Sequence, residues 1–180
     1  REGMHYLSSG DEPLLIAGVG TYALEILEDL PGADVIIVPV GGGSGAAGAC
    51  LAAKKINPRV RVIGVQSEAA PSAYLSSKNR RRVEAKMETF AEGLATRSTF
   101  EIPHAIMRRD LDDFILVSEA ELKSAILLAI EQTHNLVEAA GAAALAAAYK
   151  LRDQLCGKRV VVVMSGGNIT LAQLRELLAE

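Results

Sequence analysis

At 180 residues, 49 % apolar and 23 % charged, the chain has the size and composition of one globular domain able to bury a core. A net charge of −3 argues against a nucleic-acid surface, and no apolar run approaches the roughly 20 residues that span a bilayer. Cys50 and Cys156 form no C-x-x-C pair and read as reduced thiols of a cytoplasmic protein, while the 3 histidines offer no metal-ligand spacing. Arg1 to Gly10 is polar, without the apolar stretch of a secretory leader.

In chain order, Thr21–Leu30 reads as a helix and Val35–Val38 as a buried strand that stops at Pro39-Val40. Gly41-Gly42-Gly43-Ser44-Gly45 follows, and then a helix over Ala46–Ile56. Val60–Gln66 reads as the next strand. The segment from Ala69 to Asp113 has the weakest pattern and reads as a long excursion with short helices. Its one basic cluster, Lys78 with Arg80, Arg81 and Arg82, reads as a solvated loop or lid. Phe114–Val117 is a strand, and Ser118 with Glu121 forms an S-x-x-E capping box opening a helix over Glu119–Thr133. The Ala-rich helix Glu138–Arg152, the strand Val160–Met164 and the helix Thr170–Leu178 complete the pattern. Strand–helix alternation of this kind predicts an α/β fold: a mostly parallel sheet with helices on both faces.

The glycines have a chemical reading. Between a strand and a helix they let the backbone turn sharply and approach a ligand. Free N–H groups at a helix start, with the positive end of its dipole, suit an anion, and phosphate is the usual guest. The match to G-x-G-x-x-G is loose, and no Walker lysine follows. A turn serving helix–sheet packing alone is the plainer alternative. A second strand end, Met164-Ser165-Gly166-Gly167-Asn168, repeats the arrangement. Two such ends in one sheet can face one crevice, with Ser165 meeting a polar atom of the same ligand or else capping the helix that follows.

"PVGGGSGAAG", "GVQSE", "AEGLATR", "VEAAGAAALAA" and "MSGGN" stand in the order seen in the threonine/serine dehydratase family, pyridoxal-phosphate enzymes of the tryptophan-synthase-β type. Upstream, "IAGVGTYALEIL" resembles that family's "AGQGT-ALEI" segment, with Val19 where glutamine is common. The resemblance covers essentially the whole chain. It implies the large cofactor-binding domain of fold-type II pyridoxal-phosphate enzymes, with Gly41, Gly42, Gly43, Ser44 and Gly45 holding the cofactor phosphate through backbone N–H groups. Ser44 stands where a glycine is common. The resemblance further implies Ser165 as partner of the pyridine nitrogen, which suits elimination more than transamination. It implies Gly93 as a glycine lying against the ring and Glu138 as a glutamate near the cofactor. Read without the resemblance, Glu138 is a carboxylate favoured by a helix N-terminus. Some relatives bind a divalent cation through two carboxylates at positions held here by Gln66 and Ser72, so the resemblance implies no metal site there.

The family's Schiff-base lysine sits in an S-F-K-x-R-type motif ahead of the "AGQGT" segment, and none of the seven lysines here matches it. The chain opens on "REGMHYLSS", which reads as the interior of something longer. We therefore read residues 1–180 as a partial catalytic chain, most of the large domain, without the small domain and the Schiff-base lysine region. The expected enzyme is a cytoplasmic homo-oligomer that deaminates L-threonine or L-serine to a 2-oxo acid and ammonia, with no nucleic-acid or membrane partner, and the chain alone is expected to be inactive. A serine racemase-like enzyme of the same fold shares these motifs. If Arg1 is the true start, a non-catalytic phosphate- or nucleotide-binding module is the reading from another class.

Overall fold

The computed structural model describes residue 3 and residues 6–179. Helices α1 (Pro13–Val19) and α2 (Thr21–Asp29) precede strand β1 (Val35–Pro39), and helix α3 (Ser44–Ile56) leads to β2 (Arg61–Ser67). Helix α4 (Ser72–Asn79), a 3-10 turn (Glu92–Leu94) and helix α5 (Glu101–Asp110) make up the excursion before β3 (Asp113–Val117). Then come α6 (Glu119–Thr133), α7 (Ala139–Lys150), the short α8 (Arg152–Leu155), β4 (Val160–Val162) and α9 (Leu171–Ala179).

All four strands are parallel, in the order β3-β2-β1-β4. Val35 of β1 pairs with Arg61 on one side and Val160 on the other. Side chains alternate across the sheet, so each strand feeds two cores. Val35, Ile37, Ile63 and Val65 face α6 and α7, whereas Ile36, Val38 and Val62 face α2, α3 and Met107 of α5. Helices thus cover both faces, as strand–helix alternation predicts. The small side chains of α7 let it lie close over the sheet, with Ala142, Ala143, Ala144 and Ala147 fully buried.

Local chemistry sets the element ends. Pro13 opens α1 at a position where its missing N–H costs nothing, and the Glu12 side chain accepts from the Leu14 N–H. That helix is absent from the sequence expectations. The capping box is formed in full: the Ser118 hydroxyl accepts from the Glu121 N–H at 3.2 Å, and the Ser118 N–H donates to the Glu121 carboxylate at 2.7 Å. Two ends differ from expectation. Helix α3 begins at Ser44 rather than Ala46, because Gly43 makes the whole turn itself, at φ +103°. Strand β4 stops at Val162 rather than Met164: the Val163 N–H still donates to Ile37 O at 3.1 Å, but Pro39 on β1 has no N–H to continue the ladder. The Ala-rich helix likewise ends at Lys150, and Arg152 begins α8.

Candidate functional site

The glycine loop leaves the central strand β1 and enters α3. The carbonyls of Gly41, Gly42, Gly43 and Gly45 are all engaged. The Thr96 hydroxyl donates to Gly41 O at 3.2 Å, and the Thr99 hydroxyl to Gly42 O at 3.1 Å. The Phe100 N–H also donates to Gly42 O, the Ala47 N–H to Gly43 O at 2.9 Å, and the Tyr22 hydroxyl to Gly45 O at 3.1 Å. The N–H groups are in the opposite condition. None from Gly41 to Ala46 has an acceptor among the described residues, and α3 has no side-chain cap. Buried or half-buried backbone donors require partners. A run of them at the start of a 13-residue helix has the chemistry of a candidate anion site.

The neighbouring strand end lies beside it. β4 is parallel to β1, and Ser165-Gly166-Gly167 follows three residues after its last paired residue, Val162. Ser165 is exposed, and its hydroxyl has no partner among the described residues. It does not cap the next helix. Thr170 does: its hydroxyl accepts from the Gln173 N–H at 3.2 Å, and its own N–H donates to the Gln173 side chain at 2.8 Å.

Glu138 joins the two ends. It is the N-cap residue of α7, yet its carboxylate makes no capping bond. Its N–H donates to Gly166 O at 3.1 Å, and its Oε1 lies where a Cβ on Gly166 would sit. The same oxygen is 3.9 Å from the Cβ position of Gly93. Gly93 in turn presses its carbonyl oxygen onto the place a Gly41 side chain would take. Gly41, Gly93, Glu138 and Gly166 therefore form one contiguous rim. The need for glycine at 93 has a cause within the protein, since a Cβ there would stand 2.8 Å from Ala140 Cβ. A cavity of about 560 Å³ opens beside Glu138, between Phe90, Ile126, Asn168 and Leu177, and does not include the glycine loop or Ser165.

Residues 1–166 match the family described as pyridoxal-phosphate dependent enzyme. The chain belongs to that family. It is 39 % identical over 180 residues to an L-threonine ammonia-lyase of Thermotoga maritima, covering 99 % of this chain and 44 % of that protein. It is 35 % identical over 173 residues to a serine racemase of Dictyostelium discoideum, covering 93 % of this chain and 53 % of the relative. The structure of processed threonine deaminase isoform 2 from Solanum lycopersicum superposes with a TM-score of 0.93 at 31 % identity, over 98 % of this chain and 52 % of that one. The chain spans about half the length of the relatives it matches, 42 to 54 % of the first three.

The cofactor of this pyridoxal-phosphate family fits the donor set of this loop. A phosphate suits a loop whose N–H groups lack acceptors and whose carbonyls are turned away and occupied.

Other expected positions in this family member are held by neighbours, although Gln66 Nε2 is buried with no partner among the described residues. Gln66, at the end of β2, is buried, and its Oε1 accepts from the N–H groups of Ala73 and Tyr74 at 3.0 and 3.1 Å. The Ser72 hydroxyl donates to Thr96 O at 2.8 Å. Lys54 is held by Asp112 at 2.6 Å and Lys150 by Glu121 at 3.1 Å. Within the basic cluster Lys78 lies in the last turn of α4, Arg80 to Arg82 are exposed, and Arg82 Nε donates to Thr99 O at 2.9 Å. Both cysteines are free; Cys50 is buried, and burial pushes its thiol up to about 12. Tyr22, Thr96 and Thr99 escaped the sequence reading. Each reaches the loop from 23 to 57 residues away, and no local motif announces such a bond.

Proposed function

We propose that this chain is most of the large domain of a longer enzyme that converts L-threonine or L-serine to a 2-oxo acid and ammonia. The observation that carries the reading is the glycine loop, donors open and acceptors filled, at the carboxyl end of the central strand. The N–H groups from Gly41 to Ala46, with the α3 dipole, hold the phosphate of pyridoxal 5'-phosphate. Bound there, the cofactor supplies an electron sink that acidifies the α-carbon of an amino acid. Ser165 offers the ring nitrogen a neutral hydroxyl. That partner leaves the nitrogen unprotonated and favours elimination over transamination. Gly93 keeps one side of the ring's place clear, and the uncapped Glu138 carboxylate supplies a negative group at the same rim.

The lysine that removes the α-proton belongs, in this proposal, to the part of the protein outside residues 1–180. So does most of what selects the substrate. In this proposal the whole protein is a cytoplasmic homo-oligomer acting on a small amino acid. Among the described residues no helix is long and apolar enough to cross a membrane. The resemblance to a serine racemase favours one second reading, racemisation on the same fold. One incubation separates them. The complete protein is given pyridoxal phosphate and L-threonine or L-serine, and both 2-oxo acid and D-serine are measured. Dehydratase function requires stoichiometric 2-oxo acid and ammonia. D-serine without 2-oxo acid establishes the racemase, and neither product from either substrate removes both.

A further inference from the structure

We infer that Thr96 and Thr99 are positioning residues for the cofactor phosphate, each aiming one loop N–H by holding the carbonyl at the other end of the same peptide plane. The inference rests on the reading of Gly41–Gly45 as the phosphate cradle.

A trans peptide is flat, and its C=O and N–H point in opposite directions. Gly41 O and the Gly42 N–H share one plane, and Gly42 O and the Gly43 N–H share the next. The Thr96 hydroxyl takes Gly41 O at 3.2 Å and so turns the Gly42 N–H to the opposite side. The Thr99 hydroxyl, 3.1 Å from Gly42 O and 3.3 Å from its other acceptor, Phe100 O, and the Phe100 N–H, at 3.3 Å, take Gly42 O and so turn the Gly43 N–H to the side away from them. Glycine has no side chain to resist rotation of these planes, so their direction must be imposed from outside the loop. A flipped plane would present a carbonyl oxygen to the phosphate in place of a donor.

Both threonines are themselves anchored. Thr99 is 1 % exposed, and its carbonyl accepts from Arg82 Nε at 2.9 Å. The Thr96 carbonyl accepts from the Ser72 hydroxyl at 2.8 Å. Ser72 opens α4, whose next two N–H groups are held by Gln66 at the end of β2. The direction of the loop N–H groups is thereby referred back to the sheet through side-chain bonds. Arg82 and Gln66 acquire a reason to stand where they do.

The test compares affinities of the complete apoprotein for pyridoxal 5'-phosphate and for pyridoxal, which lacks the phosphate, with melting temperature measured in the absence of either. Thr96→Val should weaken pyridoxal phosphate about tenfold, the loss expected for one hydrogen bond of ordinary strength, and leave pyridoxal unchanged. Thr96→Ser, which keeps the hydroxyl, should match the parent. Thr99→Val should lose less, because Phe100 still holds Gly42 O, and it carries the test if Thr96→Val does not fold. Equal weakening of both ligands, or a lower melting temperature with the phosphate preference intact, would mean that the threonines only support the fold. Gly43→Val separates the two layers of the argument. If it abolishes the phosphate preference while Thr96→Val and Thr99→Val retain it, the positioning role falls and the cradle stands. If Gly43→Val itself retains the preference, the cradle reading falls and takes the inference with it.

Discussion

Replacing Gly43 by alanine isolates the turn on which the cradle depends. The residue sits at φ +103°, a conformation that costs an L-residue about 1–3 kcal/mol. A methyl group there would also stand 2.7 Å from Met107 Cε, 3.0 Å from Pro103 Cβ and 3.4 Å from Thr99 Oγ1. The methionine end can swing aside, but Pro103 is held in α5, so overpacking adds about 1 kcal/mol or more. The expected loss is about 2–4 kcal/mol, a large share of the ~5–15 kcal/mol that stabilises an ordinary domain. Gly45→Ala is the control of opposite sign. Gly45 lies inside the first turn of α3, and its added methyl would meet only Val19 Cγ1 at 3.9 Å. Exchange of helical glycine for alanine should raise stability by about 0.5 kcal/mol. Urea unfolding without ligand, followed by circular dichroism, gives both values from the midpoints, provided the slope with denaturant is constant. Equal midpoints for Gly43→Ala and the parent, or a lowered midpoint for Gly45→Ala, would refute the left-handed turn and the helix start drawn from it.

Ser118→Ala removes one of the two capping-box bonds and should cost about 1 kcal/mol in the same unfolding assay; no loss would mean that the bond at 3.2 Å contributes nothing in solution. A thiol reagent should titrate the exposed Cys156 rapidly in the native protein and reach Cys50 only after denaturant is added, since burial holds the latter thiol protonated. Two fast thiols would contradict that burial. His104, 8 % exposed, has its imidazole held below the usual range by burial, then by the Arg108 and Arg82 guanidiniums. Because the folded state resists the proton, its contribution is intact above the unfolded value of about 6.5 and is lost as pH falls below it. His104→Leu should therefore flatten the fall of the melting temperature between about pH 7 and pH 5, and an unchanged slope would show that other groups set it.

The sequence carried the elements whose ends are set by their own residues. Helix α6 starts at Glu119 as expected because Ser118 and Glu121 cap one another, a signal contained in four consecutive positions. The strands over 35–38, 60–66 and 114–117 shift by no more than a residue at either end, because β-branched apolar runs leave few alternatives. What the sequence withheld lies in neighbours. The end of β4 is decided by Pro39 on another strand, and the start of α3 by a backbone angle that glycine permits but does not announce. The rim of the site was visible as separate glycines and one glutamate. Its closure through Gly93 O, Glu138 and Gly166 needed coordinates, and the threonines that hold the loop carbonyls have no signature at a separation of 55 and 57 residues.

The pairing of β4 with β1 has a temporal consequence. Asp34 and Arg159, joined at the mouth of that pairing, are 125 residues apart in sequence. At the ~5–20 residues per second of translation, the free edge of β1 waits about 6–25 seconds for the strand that covers it. In the last part of that interval β2, with β3 beyond it, is available on one side of β1, while the apolar parallel edge Val35 to Val38 still stands unpaired on the other. The cradle's own half, β1 with α3, can therefore consolidate early, whereas the Ser165 half arrives late. Nascent chains stalled between residues 120 and 155 should be the species that chaperones hold and that aggregate when they do not.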